Sequence, residues 1–198
     1  MGMYGGIDLG GTKIQAAIID VEHSVLGSAR RPTPTEGGPS DVAAEMQTAL
    51  RDAAKAAEVE WVDGNPILAG VGVGSPGTID DGNVTSARNL PDWEGSFPLA
   101  STLEGGLGCR VVVGNDVQVA TDAEFKLGAG RLYKSLLGVF WGTGVGGGLI
   151  LDGKPWTGRG GAGEIGHVVV EIDGALCTCG RRGCMEAYAG RAAMERYV

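Results

Sequence analysis

The sequence predicts an α/β fold, a mixed sheet with flanking helices. Short apolar runs bounded by glycine alternate with longer, alanine-rich stretches, giving the order β-β-β-α-β-α-β-α-β-β along 198 residues. A strand-turn-strand pattern opens the chain and returns after residue 130, so the sequence reads as one domain over 1–116 and the start of a second over 117–198.

The elements follow in order. Residues 4–9 and 14–20 are apolar runs separated by Gly10-Gly11, a hairpin pattern, and 24–30 follows after a polar turn. A Pro/Thr/Gly loop spans 32–39. Ser40 is the expected N-cap of an alanine-rich helix over 41–58. Residues 67–74 read as a buried strand broken by Ser75-Pro76-Gly77. A loop with aromatic anchors is expected over 83–97, then a helix capped by Ser96 and running to 104. A strand over 110–113 ends at Gly114-Asn115-Asp116, and a helix over 117–127 follows. Strands over 135–141 and 148–151 flank a glycine-rich turn, and 184–197 reads as helical.

Composition narrows the function classes. The formal net charge is −8 and no run of lysine or arginine forms a stripe, so nucleic acid and anionic membranes are not expected partners. No run approaches the eighteen or so apolar residues of a membrane span. The first residues carry no basic leader pattern, and a cytoplasmic location is expected, where thiols bind metal more readily than they form disulfides. Glycine occurs 37 times without a period, clustered at the ends of apolar runs, as tight turns and close backbone approaches require.

The densest chemistry lies between 164 and 186. Three of the four cysteines and one of the two histidines fall there: His167, Cys177, Cys179 and Cys184. Cys₃His is a closed tetrahedral set of the kind that holds structural zinc. Glu164 and Glu186 bracket it without being needed to complete it. A histidine bound through one ring nitrogen carries a proton on the other, and a sugar hydroxyl could accept it. The alternative is a purely structural metal loop with solvated glutamates.

Two glycine turns carry a second signal. Asp8-Leu9-Gly10-Gly11-Thr12-Lys13 could cup a phosphate on backbone amides, with Asp8 holding hydrated magnesium; it could equally be an ordinary hairpin. It lacks the lysine-serine spacing of a P-loop. Gly142-Thr143-Gly144-Val145-Gly146-Gly147-Gly148 contains the letters of a dinucleotide fingerprint but runs into a strand, not a helix, which excludes that reading and favours a second phosphate-contacting hairpin. Asp116 follows a strand and opens a helix: an N-cap, or a general base where α/β crevices open.

These pieces, in this order, resemble the ROK family of sugar kinases and repressors, within the actin-like, hexokinase-type (ribonuclease H-like) ATPase fold. The run Cys177-x-Cys179-Gly180-x-x-Gly183-Cys184-x-Glu186 after Glu164-Ile165-Gly166-His167 resembles the family signature, and the likeness extends over nearly the whole chain. The resemblance implies ATP-dependent phosphorylation of a hexose, glucose first, at the 6-hydroxyl. It implies Asp116 as base and Asn89, Asn115, Glu164, His167 and Glu186 as sugar contacts. Asp8, Gly10, Gly11, Thr12 and Lys13, with Gly142, Thr143 and Gly144, would bind nucleotide phosphates with Mg²⁺; His167, Cys177, Cys179 and Cys184 would bind structural zinc. It further implies a homo-oligomer and a second domain that continues past residue 198 to complete the ATP site. A non-catalytic sugar-binding fragment and a sugar-responsive regulator without its DNA-binding domain are the alternatives, and polyphosphate is an alternative donor to ATP.

Overall fold

The computed structural model describes residues 2–87 and 89–196. Tyr197, within the expected helix over 184–197, lies outside them. The chain divides into two compact units, Met1–Asp116 and Val117–Val198.

In the first unit, β1 (Tyr4–Leu9) and β2 (Lys13–Ile19) form an antiparallel hairpin in which Tyr4 faces Ile19 and Leu9 faces Ile14. Side chains alternate across a strand, and Ile7, Leu9, Ile14, Ala16 and Ile18 all fall on the buried face. β3 (Val25–Pro32) pairs with β2 through an irregular register at Ile18 and Ile19. Helix α1 (Pro39–Ala56) covers the buried face with Val42, Ala43, Met46, Ala49, Leu50, Ala53 and Ala54, a stripe at helical spacing. It starts earlier than Ser40 would allow. Pro39 suits the first helical turn, and the Gly38 amide donates to the Asp41 carboxylate at 3.0 Å, making Gly38 the cap. It ends at Ala56, short of the expected 58, and Glu58 already has φ 54°.

β4 (Trp61–Val62) and β5 (Asn65–Pro66) form a small hairpin. β6 (Gly70–Ser75) lies parallel to β1. β7 (Thr78–Asp80), β8 (Asn83–Thr85) and β9 (Ser96–Phe97) make a separate three-stranded sheet where the sequence suggested mostly loop. Ser96 pairs with Thr85 and caps no helix; α2 (Leu99–Leu107) follows Pro98 and runs to a left-handed Gly108. β10 (Val111–Asn115) is parallel to β6, completing a five-stranded sheet of order β10-β6-β1-β2-β3. One large apolar cluster fills this unit, from Ile7 through Met46, Leu50 and Leu103 to Val111, with Trp93 stacked edge-on to Phe97.

α3 (Asp116–Leu127) leads into the second unit. There β11 (Leu136–Trp141), β12 (Val145–Leu151) and β13 (Lys154–Pro155) form an antiparallel sheet, with the fully buried Thr121 of α3 against Gly138 and Gly148. β12 starts three residues before the expected strand. Short 3-10 helices span Ala129–Leu132 and Ile165–His167. The stretch after Cys184 is two one-turn helices, α4 (Glu186–Ala189) and α5 (Arg191–Met194), separated by an extended Gly190, not one continuous helix. Among the described residues, no helix is long and apolar enough to cross a membrane.

Candidate functional site

In the first unit, the candidate residues collect at one edge of the sheet. β1, β6 and β10 are parallel, so their carboxyl ends open on the same side, where ligand crevices of such sheets form. Asp8 pairs with Gly74, and Gly74 with Gly114, which sets Asp8 two strands, about 10 Å, from Gly114. Asn115 ends β10 and Asp116 opens α3, both half-buried. The Asn115 amide group donates to the Gly77 carbonyl at 3.3 Å, which turns it toward the loop after β6. Asp8 is exposed on the sheet face away from α1.

The Gly10–Lys13 turn sits at the same edge. The Gly10 amide donates to the Lys13 carbonyl at 2.9 Å, leaving Gly11 and Thr12 exposed at the tip. Asn89 reaches this tip. A Cβ on Gly11 would stand 2.9 Å from the Asn89 carbonyl, so only glycine permits the approach. Sequence reasoning missed Thr33. Its hydroxyl donates to the Gly10 carbonyl at 2.6 Å and its amide donates to Thr12 at 3.2 Å, so this buried side chain anchors the turn from behind. Thr33 lies in a Pro/Thr loop whose sequence gives no hint of that contact.

In the second unit, residues 168–170 run antiparallel to 183–185, with Met185 donating to Val168 at 2.9 Å and Val170 to Gly183 at 2.8 Å. That pairing brings His167 beside Cys184. A tight knuckle, in which Cys177 donates to Arg181 and Gly180 to Cys177, folds the other two thiols inward. The ligand atoms of His167, Cys177, Cys179 and Cys184 all lie within 4.8 Å of one another. Cys177 Sγ is 3.6 Å from His167 Nδ1, and Cys179 Sγ is 3.7 Å from Cys184 Sγ. Tetrahedral zinc with ordinary bond lengths gives edges of about 3.6 Å from nitrogen to sulfur and about 3.8 Å between sulfurs. The set is compatible with zinc in both donor chemistry and spacing.

Electrostatics around the cluster favour the thiolate at Cys179 and oppose it at Cys184. The Arg181 backbone amide and then its guanidinium draw the Cys179 thiol down to about 6, while burial pushes Cys184 up to about 11. The same guanidinium donates to the His167 carbonyl at 3.3 Å, tying the two ends of the loop. Apolar packing gives this region little: its buried cluster is Cys177, Cys184 and Ala187, with Ala175, Cys179 and Tyr188 against it. A loop so poor in core needs another source of order, and a cation held by these four ligand atoms would supply one.

Glu164 precedes the 3-10 turn and His167 closes it; side chains three apart eclipse in such a turn, so both project on one side. His167 Nε2 is 3.9 Å from Glu164 Oε2, too long for a direct hydrogen bond. Glu186 sits differently. Its Oε2 accepts the Val145 amide at 2.9 Å and its Oε1 accepts the Thr178 hydroxyl at 3.0 Å. Val145 directly follows Gly142, Thr143 and Gly144, a turn closed by the Gly142 amide donating to Gly144 at 3.0 Å, with Thr143 exposed at its tip. Cys109 is half-buried against the main core of the first unit, and His23 is exposed just before β3.

Comparison with known proteins places these features in context. The sequence matches the ROK family over residues 4–198. It is 36% identical over 196 residues to the glucokinase of Thermotoga maritima, covering 98% of this chain and 59% of that protein. Against the N-acetylmannosamine kinase of Salmonella typhimurium it is 39% identical, covering 96% and 63%. The crystal structure of a ROK family glucokinase from Streptomyces griseus in complex with glucose and AMPPNP superposes with a TM-score of 0.83 at 36% identity, covering 99% of this chain and 60% of that one. The chain thus spans about three-fifths of the length of these relatives.

Proposed function

The chain belongs to the ROK family, and from that premise we propose that it serves ATP-dependent phosphorylation of a hexose, glucose first, at the 6-hydroxyl. The observation that carries this reading is the carboxyl edge of the first sheet, where Asp8, the Gly10–Lys13 turn, Asn89, Asn115 and Asp116 collect. The glucokinase relatives support it.

Phosphoryl transfer asks the protein for alignment and charge neutralisation more than for covalent help. In the proposed reaction Asp116 accepts the proton of the 6-hydroxyl as that oxygen bonds to the γ-phosphorus and the bond from phosphorus to the ADP oxygen breaks. Asn115, held by Gly77, and Asn89, held against Gly11, orient sugar hydroxyls. Glu164, His167 and Glu186 take others. Glu186 Oε2 accepts the Val145 amide and keeps a second lone pair for a hydroxyl, while Oε1 is engaged by Thr178 and, at 3.9 Å, by the Cys177 thiol. With Nδ1 facing the thiols, His167 Nε2 carries the proton that a hydroxyl accepts.

The Gly10–Lys13 and Gly142–Gly144 turns are proposed to hold phosphate oxygens on their amides. Asp8 would hold hydrated Mg²⁺, which would neutralise phosphate charge. Zn²⁺ on His167, Cys177, Cys179 and Cys184 supplies rigidity. The test is a calorimetric screen of glucose, mannose, fructose and N-acetylmannosamine, joined to a phosphorylation assay on the protein extended to its relatives' length. Glucose binding with ATP-dependent formation of the 6-phosphate is the expected result; phosphorylation of none of the four sugars would end the proposal.

A further inference from the structure

Thr178 sits between Cys177 and Cys179, and its hydroxyl donates to Glu186 Oε1 at 3.0 Å. The opposite oxygen of the same carboxylate accepts the Val145 amide at 2.9 Å. A two-step hydrogen-bonded relay therefore runs from the thiol knuckle, through Glu186, to the backbone that leaves the Gly142–Gly144 turn. The turn is shaped to receive it: a side chain on Gly144 would overlap the Glu186 carboxylate.

Two further contacts fix the flanks of the same turn to the residues beyond Cys184. The Trp141 indole donates to the Ala189 carbonyl at 2.7 Å, and the Arg191 amide donates to Gly142 at 3.1 Å. These hold α4 and α5 against the turn. The relay joins it to the knuckle itself. A carboxylate gripped at one oxygen only can rotate about its terminal torsion, which is broad and soft. Gripped at both, it has one orientation, set at Oε1 chiefly by the Thr178 hydroxyl at 3.0 Å, the Cys177 thiol lying farther off at 3.9 Å. The backbone of Thr178, flanked by two of the clustered thiols, follows the shape of the knuckle.

We propose that Thr178 is a positioning residue that transmits the shape of the thiol knuckle to the Gly142–Gly144 turn through Glu186. Loss of the cluster then loosens this turn as well as the Glu164 and His167 side. The meaning of the turn as a phosphate site rests on the proposed kinase reading; the relay itself does not.

The test uses the 198-residue chain, zinc-loaded, with Thr178→Val and Thr178→Ser beside the unaltered protein. Amide hydrogen exchange at Val145 is read by NMR, and zinc content is measured on the same samples. Thr178→Val is expected to speed Val145 exchange about tenfold, the factor one ordinary hydrogen bond supplies, with zinc retained. Thr178→Ser, which keeps the hydroxyl, restores protection. Unchanged Val145 exchange in zinc-replete Thr178→Val overturns the proposal, and so does a serine variant that fails to restore it. Loss of zinc from Thr178→Val also overturns it, since Thr178 would then act on the cluster and not through Glu186. Adding AMPPNP with Mg²⁺ to the protein extended to its relatives' length separates the two readings: no change at the amides of Gly142 to Val145 would remove the phosphate role and leave the relay standing.

Discussion

Cys177 Sγ stands 3.6 Å from Nδ1 of His167, which commits that ring nitrogen to the thiol side and turns Nε2 toward Glu164, 3.9 Å away. In the proposed reading the imidazole then has two jobs, a donor atom for a cation and a proton for a ligand hydroxyl. Removing a neighbouring ligand should therefore disturb both. Cys184→Ser is expected to lower zinc occupancy from one per chain to well below one, measured by metal analysis after dialysis against a chelator. Full occupancy in that variant would show that Cys184 is not a ligand.

Arg181 contacts both ends of the loop and favours the Cys179 thiolate. Arg181→Gln should weaken zinc affinity about 10- to 100-fold, the usual effect of losing a partner just outside the ligand set. Arg181→Lys should recover part of it, since it keeps the charge but not the forked geometry. Competition titration against a chromophoric chelator reads both, and equal affinities for all three proteins would contradict the assignment.

Asp116→Asn preserves shape and removes the carboxylate proposed to accept the 6-hydroxyl proton. In the protein extended to its relatives' length, hexose binding by calorimetry should persist while turnover falls by about 10²- to 10⁴-fold. Unchanged turnover would take the base role away from Asp116.

Leu50 is fully buried on α1 against the five-stranded sheet. Leu50→Ala should destabilise the chain by about 2–5 kcal/mol, read from chemical denaturation, because the tightly packed face cannot collapse onto the space left behind. A loss below about 1 kcal/mol would mean the first unit is far more plastic than its packing indicates.

Strong local periodicity made some elements readable. The β1–β2 hairpin and α1 each repeat their apolar residues at one clear period, and burial follows that period in both. The ends of α1 were not readable in the same way, because Pro39 and the carboxylate of Asp41 outweigh the capping preference of Ser40. Three small hairpins escaped the sequence reading although each carries a signal. Asp63-Gly64, Asp81-Gly82 and Asp152-Gly153 are two-residue loops with both residues at positive φ, the pattern of type I′ turns. Their strands are as short as two residues, too short to show alternation, so the turn dipeptide was the only available cue.

The candidate site divides along similar lines. Thiols and an imidazole at close spacing announce themselves, because few other arrangements use those side chains together. Thr33, Thr178 and Arg181 do not. Each acts by reaching a backbone carbonyl, a carboxylate or a thiolate that only the fold brings near, and threonine and arginine are common at the surface for unrelated reasons. Glu186 is the mixed case. Its place beside Cys184 drew attention to it, but its grip on the Val145 amide, 41 residues earlier, is a product of tertiary structure.

The decisive measurement is glucose affinity by calorimetry on zinc-replete and verified zinc-free samples of the same protein. The account predicts binding to the loaded form and an affinity at least about tenfold weaker after the cation is removed, as Glu164, His167 and Glu186 lose their common frame. Equal affinity in the two samples would contradict it.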